Sequence, residues 1–189
     1  MSKRRSIACV IYKICVLALL IAMMFLLKRT IAIETPFIKI NFAPLPIMLA
    51  AMLFGPVEGM TVGLLGELIA QIIGPYGLAP TTVLYVAPAA IRGFVIGLGT
   101  LWCRRTGRRI ENQPVVCYTA GIAGAVLTTV ANTVSIWLES VMYHTEFMVH
   151  IPFLPVRFAN GIATALAVTT LCIPLVHALR RSGVLKYAE

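Results

Sequence analysis

Long apolar runs broken only by short polar connections constrain this chain more than any other feature. Six such stretches lie at about residues 7–27, 43–54, 60–73, 83–103, 115–141 and 152–179. A bilayer's hydrocarbon core is about 30 Å thick and takes about 20 apolar residues as a helix. Inside it every backbone N–H and C=O must find a protein partner, which helices provide within themselves. The expectation is an all-α polytopic membrane bundle of six transmembrane helices, a single integral membrane domain over residues 1–189. Charged residues are 12% of the chain, against about 25% in soluble domains, and they gather at the ends of apolar runs. The first run follows Lys3-Arg4-Arg5, as in a secretory signal. No small-residue cleavage site precedes Lys28, so a retained first span is expected.

Proline and glycine mark the connections. Pro44 and Pro46 stand at the entry of the second stretch, where a missing N–H does least harm. Gly55-Pro56-Val57-Glu58-Gly59 reads as a tight turn, and Gly74-Pro75-Tyr76-Gly77 as a loop. Basic residues favour the cytoplasmic side of short loops. With six spans, Lys3, Arg4, Arg5, Lys13, Arg104, Arg105, Arg108, Arg109, Arg180, Arg181 and Lys186 fall on one side, and Lys28, Arg29 and Lys39 on the other. Both termini are therefore expected in the cytoplasm of a multi-pass cell-membrane protein. The net charge of +9 is explained by lipid and topology, without nucleic acid. The two three-helix halves do not mirror each other in glycine and proline placement, which argues against an inverted-repeat carrier.

Several chemistries have no residues to carry them. There is no GxxxxGK[ST] loop and no aspartate anywhere, so ATP hydrolysis by this chain is not expected. Cys9, Cys15, Cys103, Cys117 and Cys172 show no metal-ligand spacing and read as reduced, structural thiols. His144, His150 and His177 are scattered near helix ends. No nucleophile, base and orienting group recur at a catalytic spacing. No enzyme activity, metal or cofactor is expected.

The informative residues are ionisable groups within the spans. A charge at bilayer depth costs at least about 2.5–3.5 kcal/mol, so such residues usually face the bundle interior. At 1.5 Å per residue, Arg92 lies roughly 13 Å and Arg157 roughly 9 Å from the outer face. Glu67 and Glu139 fall in the same outer half. Two readings stand: ion pairs of Glu67 with Arg92 and of Glu139 with Arg157, or a pocket in which at least one guanidinium meets a ligand carboxylate. Lys28, Arg29 and Lys39 would then contact headgroups or attract an anionic solute. Trp137, Tyr76, Tyr85, Tyr143 and Phe158 are interfacial anchors or, for one or two of them, stacking groups for a flat ligand. Asn132 and Asn160 either bind ligand or link helices. Small residues allow close helix approach: Ala18 and Ala22 on the first stretch, Gly59, Gly63 and Gly66 on the third, Gly93 and Gly97 on the fourth.

The stretch Ile33 to Gly77 carries a resemblance. Its residues are Thr35-Pro36-Phe37-Ile38-Lys39-Ile40-Asn41-Phe42, then Pro46-Ile47-Met48-Leu49-Ala50-Ala51-Met52-Leu53-Phe54-Gly55-Pro56, then Gly59, Val62-Gly63, Glu67 and Pro75-Tyr76-Gly77. It resembles the substrate-binding (S) components of energy-coupling factor (ECF) vitamin transporters, particularly the folate family. The resemblance implies six helices and an outward-facing vitamin pocket. It also implies docking on a scaffold transmembrane subunit coupled to two ATPase subunits, and toppling in the membrane to release solute. Several such proteins dock through an AxxxA face on the first helix, which here is Ala18 and Ala22. Folate-type members commonly carry a Phe-Pro-Gly-Phe-Thr-like stretch before helix four, where this chain reads Leu78-Ala79-Pro80-Thr81-Thr82-Val83. The expected ligand set is Arg92, Arg157, Glu67, Lys39, Asn160, Trp137 and Tyr85, around an anionic vitamin such as folate, or pantothenate as the smaller alternative. A membrane scaffold subunit with no solute site is the competing class.

Overall fold

The computed structural model describes residues 2–30, 33–34, 39–40, 42–74, 77, 79–144 and 147–182. Among these residues six α-helices follow one another: α1 (Ser2–Thr30), α2 (Pro44–Leu53), α3 (Pro56–Ile72), α4 (Thr82–Arg105), α5 (Pro114–Tyr143) and α6 (Leu154–Arg181). Short 3-10 turns, Ile110–Asn112 and Phe147–Phe153, lead into α5 and α6. Between α1 and α2, β1 (Ile33–Glu34) pairs antiparallel with β2 (Lys39–Ile40). That small ribbon is a departure from the plain polar connection expected there. Thr35–Ile38 and Tyr76 lie outside the described residues. Among those described, four segments are long and apolar enough to cross a membrane: Cys9–Thr30, Thr82–Arg105, Pro114–Tyr143 and Ile151–Arg181.

The organising element is α2. Its ten residues are almost wholly apolar, and Pro46 through Leu53 are all buried. A helix apolar all round belongs inside a bundle, and α2 packs against α1, α3, α4 and α6. At roughly 15 Å it covers only half of a hydrocarbon core, so its ends lie among protein groups. The last carbonyls of a helix lack intrahelical donors. Here Arg104, from the end of α4, donates to Leu53 O (2.6 Å) and Phe54 O (3.4 Å). A cation at a helix C-terminus also suits the macrodipole. Arg104→Ala is expected to destabilise the ligand-free protein by about 1–2 kcal/mol, the cost of acceptors left without donors. Thermal melting in detergent checks this, and an unchanged midpoint would remove the capping role.

Glycine sets the tightest seam. α3 and α4 meet backbone to backbone, with Gly59 against Gly93 O and Gly63 against Ala89 O. Gly97 lies against Pro56, one turn further along. Close approach of this kind through small residues is how helices associate where lipid offers no hydrophobic drive. At the basic end of the bundle, Lys13 of α1 pairs with Glu58 in the first turn of α3 and stands 5.7 Å above the Phe54 ring. Arg180 of α6 meets Glu111 at 3.0 Å, and the Glu111 carboxylate is buried. All five cysteines are free thiols.

Candidate functional site

A small, partly open pocket lies where four helices converge. Pro44 and Met48 of α2, Arg92 and Ile96 of α4, Gly121 of α5, and Ala165, Val168 and Thr169 of α6 line it. The walls are apolar apart from the Arg92 guanidinium and the Thr169 hydroxyl, and that hydroxyl turns to Met48 Sδ (3.7 Å). Arg92 is thus the charged group of the cavity.

The seam on the neighbouring face of α4 explains where Arg92 points. Gly93 faces α3, so Arg92, one residue earlier and about 100° round the helix, faces α5. Gly124 of α5 stands beside it: a β-carbon there would meet Arg92 Cγ at 3.6 Å, an ordinary contact. Arg92 Nε donates to Thr128 Oγ1 at 3.3 Å, a neutral acceptor. Thr128 in turn donates to the Gly124 (2.6 Å) or Pro88 (3.3 Å) carbonyl. No carboxylate pairs with Arg92 among the described residues.

The ion pairs weighed from sequence are not those the fold makes. Glu67 is engaged by Lys28 of α1, and Gln71 Nε2 donates to the same Oε1 at 3.0 Å. Gly66 lies against Met24 of α1, so this turn of α3 faces α1 and carries Glu67 away from Arg92. Lys28 is accordingly an ion-pair partner. Glu139 accepts a hydrogen bond from the Tyr85 hydroxyl, and no ion pair joins it to Arg157 among the described residues. Arg157 is half-buried on α6. Tyr85 of α4 and Glu139 of α5 therefore form a second polar pair. Seven residues of α4 separate Tyr85 from Arg92, so the two levels stand roughly 10 Å apart along the bundle.

The remaining candidates disperse. Asn160 sits on α6, half-buried and hydrogen-bonded or otherwise engaged, between Arg157 and the pocket wall. Trp137 is half exposed on α5. Lys39 lies in β2, with its side chain outside the described residues. Ala18 and Ala22 both fall on the exposed face of α1. Sequence reading missed Met48, Thr128 and Thr169. Thr128 is four residues past Gly124 on the face that receives Arg92, a pairing visible only once α4 and α5 are placed side by side.

With this geometry in hand, comparison with known proteins is informative. Residues 9–181 match the family described as ECF-type riboflavin transporter, S component. Among curated proteins, no sequence matches. The fold is similar to a crystal structure of FolT bound with folic acid, with TM-score 0.63 and 22% identity over 86% of this chain and 95% of that one. It is similar to the S component of a bacterial ECF transporter, with TM-score 0.61 and 19% identity over 88% and 96%. It is also similar to the S component for biotin from an ECF-type ABC transporter, with TM-score 0.55 and 18% identity over 90% and 94%.

Proposed function

Because the chain belongs to the ECF-type riboflavin transporter S-component family, a family of membrane-embedded transport subunits and not of enzymes, we propose that it captures an anionic vitamin from outside the cell. It would deliver that vitamin through an ATP-driven partner module. The observation that carries this reading is Arg92, a guanidinium on an apolar cavity whose one partner among the described residues is a threonine hydroxyl. A planar fork of donors in a low-dielectric pocket suits a carboxylate. Arg157 and Tyr85, about two turns outward, form the mouth of the same path, with Asn160 between the two levels. Both termini lie in the cytoplasm and all six helices serve as the membrane domain of a cell-membrane protein. Ala18 and Ala22 face the scaffold subunit, which couples to two ATPase subunits.

Folate is the first candidate, on the resemblance of residues 33–77 and the similarity to the FolT structure. A smaller carboxylate such as pantothenate is the second candidate, since it needs fewer polar partners than folate and the pocket offers a single guanidinium. Riboflavin, named in the family description, is uncharged and would gain only neutral-acceptor hydrogen bonds from Arg92.

Thermal shift on the purified chain with folate, pantothenate, riboflavin and biotin separates these. A ligand at 100 times its Kd stabilises by about 2.7 kcal/mol, or roughly 5–10 °C for a chain of this size. The expected result is a shift with a carboxylate vitamin. A shift with riboflavin alone would overturn the anionic reading, and no shift with any of them would favour a scaffold without a solute site.

A further inference from the structure

The basic end of the bundle carries a cationic surface whose arginines do not line the pocket. α4 ends in a Schellman turn: Arg108 N–H donates to Cys103 O (3.0 Å) and Gly107 N–H to Arg104 O (3.1 Å). Gly107 adopts φ +69°, the left-handed geometry this cap requires. The turn holds the backbone of Arg105 and Arg108 on either side of a fixed corner, with Arg109 next to it. The Glu111–Arg180 pair then ties the following turn to the end of α6, bringing Arg181 to the same end.

The carboxylates within reach are already used. Glu58 is taken by Lys13 and Glu111 by Arg180. Arg104 is committed inward to α2. Arg105, Arg108, Arg109 and Arg181 are exposed, and none has an acidic partner among the described residues. Trp102, three residues before Arg105 on α4, is 59% exposed, and Val115, in the first turn of α5, is 72% exposed. An exposed tryptophan one turn inward of arginines marks the boundary between headgroup and acyl chain.

We propose that this corner is a binding site for an anionic phospholipid. The arginine forks take the phosphodiester, and Trp102 and Val115 take the upper acyl chain. Guanidinium matches phosphate bidentately, and basic residues between helix ends are suited to anionic headgroups. A lipid with two phosphates would use both sides of the corner. The site is independent of the solute pocket, so the two readings fail separately.

The test is native mass spectrometry of the full chain with equal mixtures of phosphatidylcholine and either phosphatidylglycerol or cardiolipin. Melting measured with each lipid accompanies it. The wild type is expected to retain and be stabilised by the anionic lipid. R105Q/R108Q/R109Q is expected to lose that preference by roughly 100-fold, while keeping its melting temperature in phosphatidylcholine and its vitamin response. Gly107→Val, which strains the cap but keeps every charge, should weaken the preference partially. Equal retention of both lipid classes by the wild type would overturn the proposal. So would an undiminished preference in the triple variant, or equal stabilisation by inorganic phosphate. A triple variant that keeps its lipid preference but no longer co-purifies with transporter subunits would assign the corner to a protein partner instead, and likewise overturn it.

Discussion

Arg92→Met is expected to make the ligand-free protein more stable and to abolish its response to the vitamin. The two effects share one cause. A guanidinium within a span costs about 2.5–3.5 kcal/mol, and among the described residues the fold returns a 3.3 Å bond to a threonine hydroxyl. Methionine keeps the stem's volume, fills an apolar cavity and needs no donor or acceptor. A gain of about 1–2 kcal/mol follows, read as a rise of several degrees in the melting midpoint. Affinity should fall by about 100-fold or more, since truncating a buried, charge-paired contact costs about 2–5 kcal/mol. Arg92→Lys keeps the charge but loses the planar fork, and should bind with intermediate affinity. Melting with and without vitamin, together with Kd for each variant, gives both readouts. A less stable Arg92→Met protein with an undiminished vitamin shift would make Arg92 a structural residue and remove the argument for an anionic solute. Stabilisation bought by deleting a functional group is a recurrent trade-off, which a purely structural ion pair would not show.

What could be read from sequence divides along physical lines. The six apolar stretches each contain a helix, because run length and polarity alone decide that a segment must satisfy its own backbone. The use of Gly59, Gly63, Gly93 and Gly97 for close approach was legible as well, because small residues are what lets helices meet in lipid. What could not be read is which way a side chain faces once helices pair. Glu67 and Arg92 lie at matching depths, yet Gly66 turns one toward α1 and Gly93 turns the other toward α5. Depth is a one-dimensional quantity, and ion pairing also needs the rotation of two helices about their axes. The role of α2 was hidden differently. Ten apolar residues look like a short span, and only the packing reveals a plug enclosed on all sides, with its last carbonyls held by Arg104.

That dependence on rotation makes the α3–α4 seam the most sensitive part of the site, and Gly93→Ala is expected to be the most damaging single methyl in the chain. A β-carbon at Gly93 would lie 2.1 Å from Gly59 O and 2.3 Å from Gly59 C. Both are backbone atoms of a packed helix and cannot swing aside as a side chain would. The helices would have to separate by about 1 Å to restore ordinary contact. Overpacking commonly costs 1–3 kcal/mol. Here the clash is with main chain and the neighbouring turns are just as tight, at Gly63 with Ala89 and at Gly97 with Pro56. A loss of about 3 kcal/mol or more is therefore expected, seen as a fall on the order of 10 °C in melting or as failure to accumulate in the membrane. Gly124→Ala supplies the contrast, since its nearest atom is Ile96 Cγ1 at 3.4 Å, an ordinary contact that should change stability by less than about 1 kcal/mol. If both variants melt alike, helix separation is accommodated and the seam does not set the direction of Arg92. If Gly93→Ala alone collapses, the position of the cavity's single guanidinium is traced to glycines on the neighbouring face of its own helix.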